Sequence, residues 1–265
     1  MIARFVLPLL ILSGPAMAKD YACLIEPQQL LKLAAPVQGV VDFVAVSRGD
    51  RVRKGELVAQ LASDVEQVDV AIARLRAAND TEVAAAQAKL DYAKSELARR
   101  GRLLNNSFGS AAELDRARDD ERQAAAKLNE AIIGRSLEKL QAQRAEALLQ
   151  QRRILSPVNG IVTERTLGPG EFLNNQEHIL TIAEMNPLRV ETFLPTAVYG
   201  HIKAGDTAEV MPEAPVGGTY HAKVVVVDQV FDAASDTIGV RLELANPDFR
   251  LPAGIHCRVR FNALP

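Results

Sequence analysis

The chain has 265 residues, 48% of them hydrophobic, enough to build the core of one large domain or two small ones. A formal net charge of −2 gives no electrostatic reason to expect nucleic acid. With no Trp and few other aromatics, the composition does not favour base-stacking platforms either.

The first 18 residues, MIARFVLPLLILSGPAMA, read as an export leader. Arg4 supplies the positive end, and an apolar run extends from Phe5 to Leu12, too short to span a bilayer. Gly14 and Pro15 break it, and Ala16-Met17-Ala18 places small residues where a signal peptidase cuts. The alternative is an uncleaved anchor. Lipoprotein processing fits poorly, because Cys23 lies five residues past the cut and KDYAC lacks the usual apolar residue before the cysteine. The mature chain, from Lys19, is therefore expected in the periplasm as a soluble protein.

Export bears on the two cysteines. In GIHCRVRF, Ile255, Cys257, Val259 and Phe261 alternate with His256, Arg258 and Arg260, the pattern of a half-buried strand. An oxidising compartment permits a Cys23–Cys257 disulfide. The alternative is two buried free thiols. Segment 23–33, CLIEPQQLLKL, reads as a further strand near the N-terminus.

From Ala35 the chain reads APVQGVVDFVAVSRGDRVRKGELVAQLA, and from Ser156 it reads SPVNGIVTERTLGPGEFLNNQEHILTIA. The two match without gaps at a fixed offset. Pro36 meets Pro157, Gly39 meets Gly160, Gly49 meets Gly170 and Leu61 meets Ile182. Short β-branched runs between glycines indicate strands and tight turns, and each copy carries one apolar face that needs the other to cover it. SRGD at 47–50 aligns with GPGE, so it reads as a turn rather than an adhesion motif.

Between the copies, residues 63–155 change character. From Asp64 to Leu104 there is no Pro and one Gly. Val68, Ile72, Leu75, Asn79, Val83, Ala86, Leu90, Ala93, Leu97 and Leu104 fall at spacings of three and four, with one break at Asn79. That pattern predicts a coiled-coil seam bent near Asn79. A return helix is predicted from about Ser110 to Leu155, with Leu114, Ala117, Ala124, Leu128, Ile132, Leu140 and Leu148 on its inner side. Ser110 followed by Glu113 predicts a capping box. Each helix would be about 60 Å long at ~1.5 Å per residue. The chain must then reverse over 105–109, which leaves Leu103, Leu104 and Phe108 at an exposed tip.

After residue 185, NPLRVETFL, DTAEVM, TYHAKVVVVDQVF, DTIGVRLELANP and GIHCRVRF give strands at short spacing. The expected organisation is a leader at 1–18, a small β-barrel from 19–34 and 186–265, and a two-half β-domain from 35–62 and 156–185. A helical hairpin at 63–155 completes it, in an elongated α+β chain whose layers nest inside one another.

These blocks resemble the periplasmic adaptors, or membrane fusion proteins, of bacterial tripartite efflux and secretion systems, the haemolysin-secretion-D-like family. APVQGVV…VSRGDRVRKGELVAQL, SPVNGIV and DTIGVRLELANP…LPAG carry the likeness, as does the nested order. The resemblance implies a split lipoyl-like domain parted by the hairpin. It implies two partners, an inner-membrane transporter and a TolC-like outer-membrane channel, together with self-association into hexamers. Adaptors that dock on such channels tend to carry an Arg, a Leu four residues later and a Ser seven after that; here these are Arg99, Leu103 and Ser110. With Leu104 they are the expected docking residues. The bland alternative is that the leucines close the coiled coil and Ser110 caps a helix.

One departure is the missing membrane-proximal domain of many family members: 19–33 is too short for its share, and the sequence ends just past the last strand. The resemblance favours a resistance–nodulation–division (RND) transporter, with an ATP-driven (ABC) exporter as the alternative. A lipoyl or biotin carrier is disfavoured, because the acceptor Lys is absent from ASDVEQ after Leu61. A bare coiled-coil spacer would not need the nested barrel. No catalytic or metal motif is present, the four His are scattered, and no cofactor is implied. Ser136 and Lys139 form an isolated mid-helix S-x-x-K without companion motifs.

Overall fold

The computed structural model describes residues 19–262, so the predicted leader at 1–18 lies outside the described residues. In chain order the elements are β1 (Asp20–Leu33), β2 (Gly39–Val44), β3 (Arg51–Val52), β4 (Leu57–Leu61), α1 (Asp64–Ala78), α2 (Thr81–Asn105) and α3 (Ala111–Gln150). There follow β5 (Arg153–Leu155), β6 (Gly160–Arg165), β7 (Phe172–Leu173), β8 (Leu180–Pro195), β9 (Thr207–Pro212), β10 (Tyr220–Val227), β11 (Thr237–Leu244) and β12 (Ile255–Phe261).

The two repeat copies build one sandwich by exchanging strands. β2 of the first copy pairs with β7 of the second, and β3 pairs with β6, both antiparallel. Equivalent residues share one core: Val41 with Val162, Val52 with Leu173, Val58 with Ile179, and Leu61 with Ile182 are all buried together. Even the turns correspond. Gly49 and Gly170 both have positive φ, 94° and 85°. The Gly49 N–H donates to Val162 O and the Gly170 N–H to Val41 O, each at 2.8 Å. Asp50 accepts the Ser47 N–H at 2.8 Å and Glu171 accepts the Gly168 N–H at 2.6 Å, so the carboxylate of the SRGD segment closes its own turn.

Six strands form a closed circuit. The order β1-β12-β9-β10-β11-β8 is completed by direct pairing of β1 with β8. Its core holds Ile25, Leu188, Val190, Val210, Val240, Leu242 and Phe261. The long strands β1 and β8 belong to both cores: Ile25 and Val190 face the barrel, whereas Leu33, Leu180 and Ile182 face the sandwich. The pairing slips between Pro27 and Gln29, where β1 passes from one core to the other. The barrel's share of this segment therefore stops short of the expected residue 34.

The hairpin departs from its expected form in three ways. First, the outgoing arm is two helices. Asn79 is extended (φ −73°, ψ 115°), and its Oδ1 accepts the Thr81 N–H at 3.1 Å. Second, the return helix ends at Gln150, and Arg153–Leu155 pairs with β4 as strand β5. Third, part of the expected seam faces outward. Val83, Leu90, Ala93, Leu97, Leu114, Ala117, Ala124 and Leu128 are buried or half-buried. Val68, Ile72, Leu75, Ile132, Leu140 and Leu148 are exposed, and the inner face of α1 is Glu66, Val70, Ala73 and Ala77. The break at Asn79 frees α1 to turn about its own axis, so the heptad register of α2 does not pass through it.

At its base the hairpin is fastened to the sandwich. Arg152, just beyond α3, forms an ion pair with Glu66 of α1 and donates to Gln38 O at 3.0 Å. Among the described residues no helix is long and apolar enough to cross a membrane.

Candidate docking site at the hairpin tip

α2 ends in a backbone motif that fixes the tip. Ser107 sits in the left-handed region at φ 65°. Its N–H donates to Leu104 O at 3.0 Å, and the Phe108 N–H reaches back to Leu103 O at 2.9 Å. This pair of bonds is a Schellman closure, which satisfies carbonyls that a helix end otherwise leaves without partners. Gly109 is required by close approach: a Cβ there would lie 2.8 Å from the Leu104 backbone nitrogen. The loop is thus rigidly specified by its own backbone.

The side chains it displays are mixed. Phe108 is 83% exposed, at the apex. Leu103, Leu104 and Leu114 are half-buried beneath it. Ser110 occupies the N-cap position of α3 with extended backbone (φ −106°, ψ 140°), but its hydroxyl makes no capping bond. The expected capping box is not formed. Glu113, its second member, points across the hairpin to Arg100 at 3.4 Å, and the N–H groups of Glu113 and Leu114 use Ser110 O instead. The Ser110 hydroxyl is therefore left facing solvent.

Arg99 is already engaged. It pairs with Glu96, which also accepts a 2.7 Å hydrogen bond from Arg100. The Arg100 hydrogen bond, with the charges of Arg99 and Arg100, holds the Glu96 carboxyl below its usual range against some desolvation. The same bond raises the Arg100 guanidinium above its ordinary value. A partner that uses Arg99 must share it with Glu96.

Arg99, Leu103, Leu104 and Ser110 are thus gathered within the last turns of the hairpin, as the spacing of the motif requires. Phe108 was not among the motif residues, although it is the most exposed apolar group of the tip. Its signal was a large aromatic inside NNSFGS, a loop otherwise made of turn-forming residues.

At the other end of the chain, Cys23 and Cys257 are directly opposed on β1 and β12, with Cα atoms 4.8 Å apart and the sulfurs joined. Both are buried. Among the described residues no group of three or more His, Cys, Asp or Glu is placed to hold a metal.

A barrel-sandwich hybrid with an inserted hairpin has a sequence signature, and the chain carries it. Residues 29–184 match the model of the CzcB-like barrel-sandwich hybrid domain. The chain belongs to the CzcB-like barrel-sandwich hybrid family. Residues 189–264 of this CzcB-like chain match a second model, the CusB-like β-barrel domain. A UPF0194 membrane protein from Yersinia enterocolitica is 25% identical over 281 residues, covering 87% of this chain and 86% of its own. An uncharacterized protein from Haemophilus influenzae is 25% identical over 243 residues, covering 91% of this chain, which spans 56% of that protein's length. In three dimensions the CzcB-like fold is shared with MacA from Actinobacillus actinomycetemcomitans at a TM-score of 0.75 and 22% identity, over 92% of this chain and 78% of that one. It is also shared with the membrane fusion protein Spr0693 from Streptococcus pneumoniae R6 at a TM-score of 0.61 and 15% identity, over 92% and 99%.

Proposed function

We propose that the protein is the periplasmic adaptor of a tripartite efflux system. In this reading it is exported by a leader cleaved after Ala18, and Cys23–Cys257 is oxidised in that compartment. The barrel and sandwich associate with an inner-membrane transporter. We take this to be of the RND class, in line with the RND designation of the matched barrel model. The hairpin tip docks on a TolC-like outer-membrane channel, and copies associate as hexamers, as family resemblance implies. The protein is a scaffold rather than an enzyme.

The observation that carries the reading is the tip itself. A backbone closure and an obligatory glycine hold Phe108 in water above Leu103 and Leu104. An apolar side chain of this size gains about 1.5–3 kcal/mol when a partner buries it. Repeated around a ring of adaptors, a weak contact of this kind becomes a strong one. The test is transport. Phe108→Asp and Leu103→Asp are expected to abolish efflux while helicity and export persist, and Leu90→Asp, in the hairpin core, is expected to unfold the hairpin itself. Full transport by both tip variants would reduce the tip to a helix turn.

A further inference from the structure

Where the sandwich meets the barrel, one row of side chains runs from apolar to cationic. Leu30 of β1 is opposed to Ala183 of β8, Ala183 to Ile161 of β6, and Ile161 to Arg51 of β3. Directly opposed residues point to the same side of a sheet, so the four form a line across four strands. At ~4.8 Å between strands the line is roughly 14 Å long. Two barrel loops stand over it. The β9–β10 connection, residues 213–219, brings Val216, and the β11–β12 connection, residues 245–254, brings Phe249 and Leu251. Loops and line together bound a cleft of about 700 Å³ that Met185 also lines. That volume falls in the ~300–1,000 Å³ range of small-ligand pockets. Leu30 remains 62% exposed in the cleft, so the fold does not close it with its own side chains.

The wall of the cleft is fixed. Asn246 is buried, and its Nδ2 donates to Met185 O at 3.0 Å and to Leu251 O at 2.9 Å. Its Oδ1 accepts the Leu251 N–H at 3.0 Å, so the β11–β12 loop is pinned to β8. Phe249 has φ 55°, a left-handed backbone that an aromatic residue rarely adopts and that persists only where its surroundings hold it. Its ring lies 5.4 Å below the Arg51 guanidinium. Phe249 lines both the apolar cleft and a neighbouring basin walled by Arg51, Arg53 and Lys54. The carboxylates nearby are committed elsewhere. Glu56 accepts the Arg53 backbone N–H at 2.8 Å, and Asp248 pairs with Arg250 at 3.5 Å.

We infer that cleft and basin are one binding site for a single-chain anionic amphiphile, an alkyl chain ending in a phosphate or carboxylate. The chain lies along Leu30, Ala183 and Ile161, and the head meets Arg51, Arg53 and Lys54. A neutral apolar molecule would leave the cations without a role, and a free anion would leave the apolar line wet. An amphiphile uses both, in the order in which the row presents them. The line is one side chain wide and recessed between two loops, which fits one alkyl chain and not the flat surface of a bilayer. This site involves neither the hairpin tip nor a partner protein, so it goes beyond the adaptor reading and stands apart from it.

Isothermal titration calorimetry on the purified, exported protein tests the site without transporter or channel. The probe is dodecyl phosphate below its micelle-forming concentration. It is expected to saturate at one molecule per chain. Dodecyl maltoside, with the same tail and no charge, should bind about tenfold more weakly or worse, because the charged hydrogen bonds are lost. Inorganic phosphate should give no saturable binding over the same range. Leu30→Glu places a carboxylate on the floor of the cleft and should abolish binding of dodecyl phosphate. Arg53→Gln with Lys54→Gln, at exposed turn positions, should weaken dodecyl phosphate about tenfold and leave the weaker binding of dodecyl maltoside unchanged. Thermal melts followed by circular dichroism verify that each variant is folded, and the glutamine pair carries the test if Leu30→Glu is not. Phosphatidylglycerol vesicles form the second arm, and the protein is expected to stay in the supernatant when they are sedimented. No saturable binding of dodecyl phosphate, equal affinity for dodecyl maltoside, an affinity that a folded variant of either kind leaves unchanged, or binding to the vesicles alone would overturn the assignment.

Discussion

Ser107 and Gly109 show how one residue each can set a tip. Ser107 takes the left-handed conformation that glycine commonly adopts at helix ends, at some cost to an L-residue. Gly109 lies so close to the α2 backbone that no side chain fits. Gly109→Ala is expected to open the tip: hydrogen exchange should quicken at the Ser107 and Phe108 amides, with the lower hairpin unchanged. Glu96 illustrates a residue-scale pH dependence. Its carboxyl is held below the ordinary range, so its bonds to Arg99 and Arg100 are intact at neutral pH and are lost only as pH falls through that lowered value. Helicity followed by circular dichroism should therefore stay constant from about pH 8 to about pH 5. For the cysteines, the expected outcome is no thiol labelling of denatured, unreduced protein and two labels after reduction. Joining residues 234 apart in sequence restricts the unfolded chain strongly, by about 5 kcal/mol in the chain-entropy account. Cys257→Ser should lower the thermal midpoint accordingly, and two labels without reduction would show the pair to be free thiols.

The hairpin, as an element, depends on how it is attached. Arg152 holds Glu66 and the Gln38 carbonyl at once, in a partly buried position where α1, α3 and the sandwich meet. Arg152→Ala is expected to cost about 1–2 kcal/mol, allowing for partial solvent screening, and to loosen the base of α1 before the sandwich melts. Elements also show where sequence pattern was sufficient and where it was not. The sandwich was legible because its two copies constrain each other: Val41 and Val162, or Gly49 and Gly170, carry the same structural duty in two places. The α2 seam was legible because Val83, Leu90, Ala93 and Leu97 pack continuously on α3. The α1 seam was not. Val68, Ile72 and Leu75 extend the same heptad on paper, but two non-helical residues separate them from α2, and periodicity cannot carry register across a break. The Ser110–Glu113 pair misled for a related reason, since Arg100 on the opposite arm competes for Glu113 and only the folded hairpin brings it there.

At the scale of the whole molecule, the nested order sets the hairpin tip apart from the two β-domains. The two long strands β1 and β8 thread both β-domains, and the hairpin carries the tip away from them. The proposed leader precedes β1, so mass spectrometry of exported protein should find a chain starting at Lys19; an intact Met1 in the membrane fraction would point to an anchor instead. The central claim is that the tip meets an outer-membrane channel. The direct measurement is photo-crosslinking in living cells, with a photo-reactive amino acid in place of Phe108 and, as control, in place of Tyr92, which is exposed farther down the hairpin. The account predicts an adduct from position 108 to an integral outer-membrane protein and none to that protein from position 92. An adduct from position 108 only to inner-membrane proteins or to other copies of this chain, or no adduct at all, would contradict it.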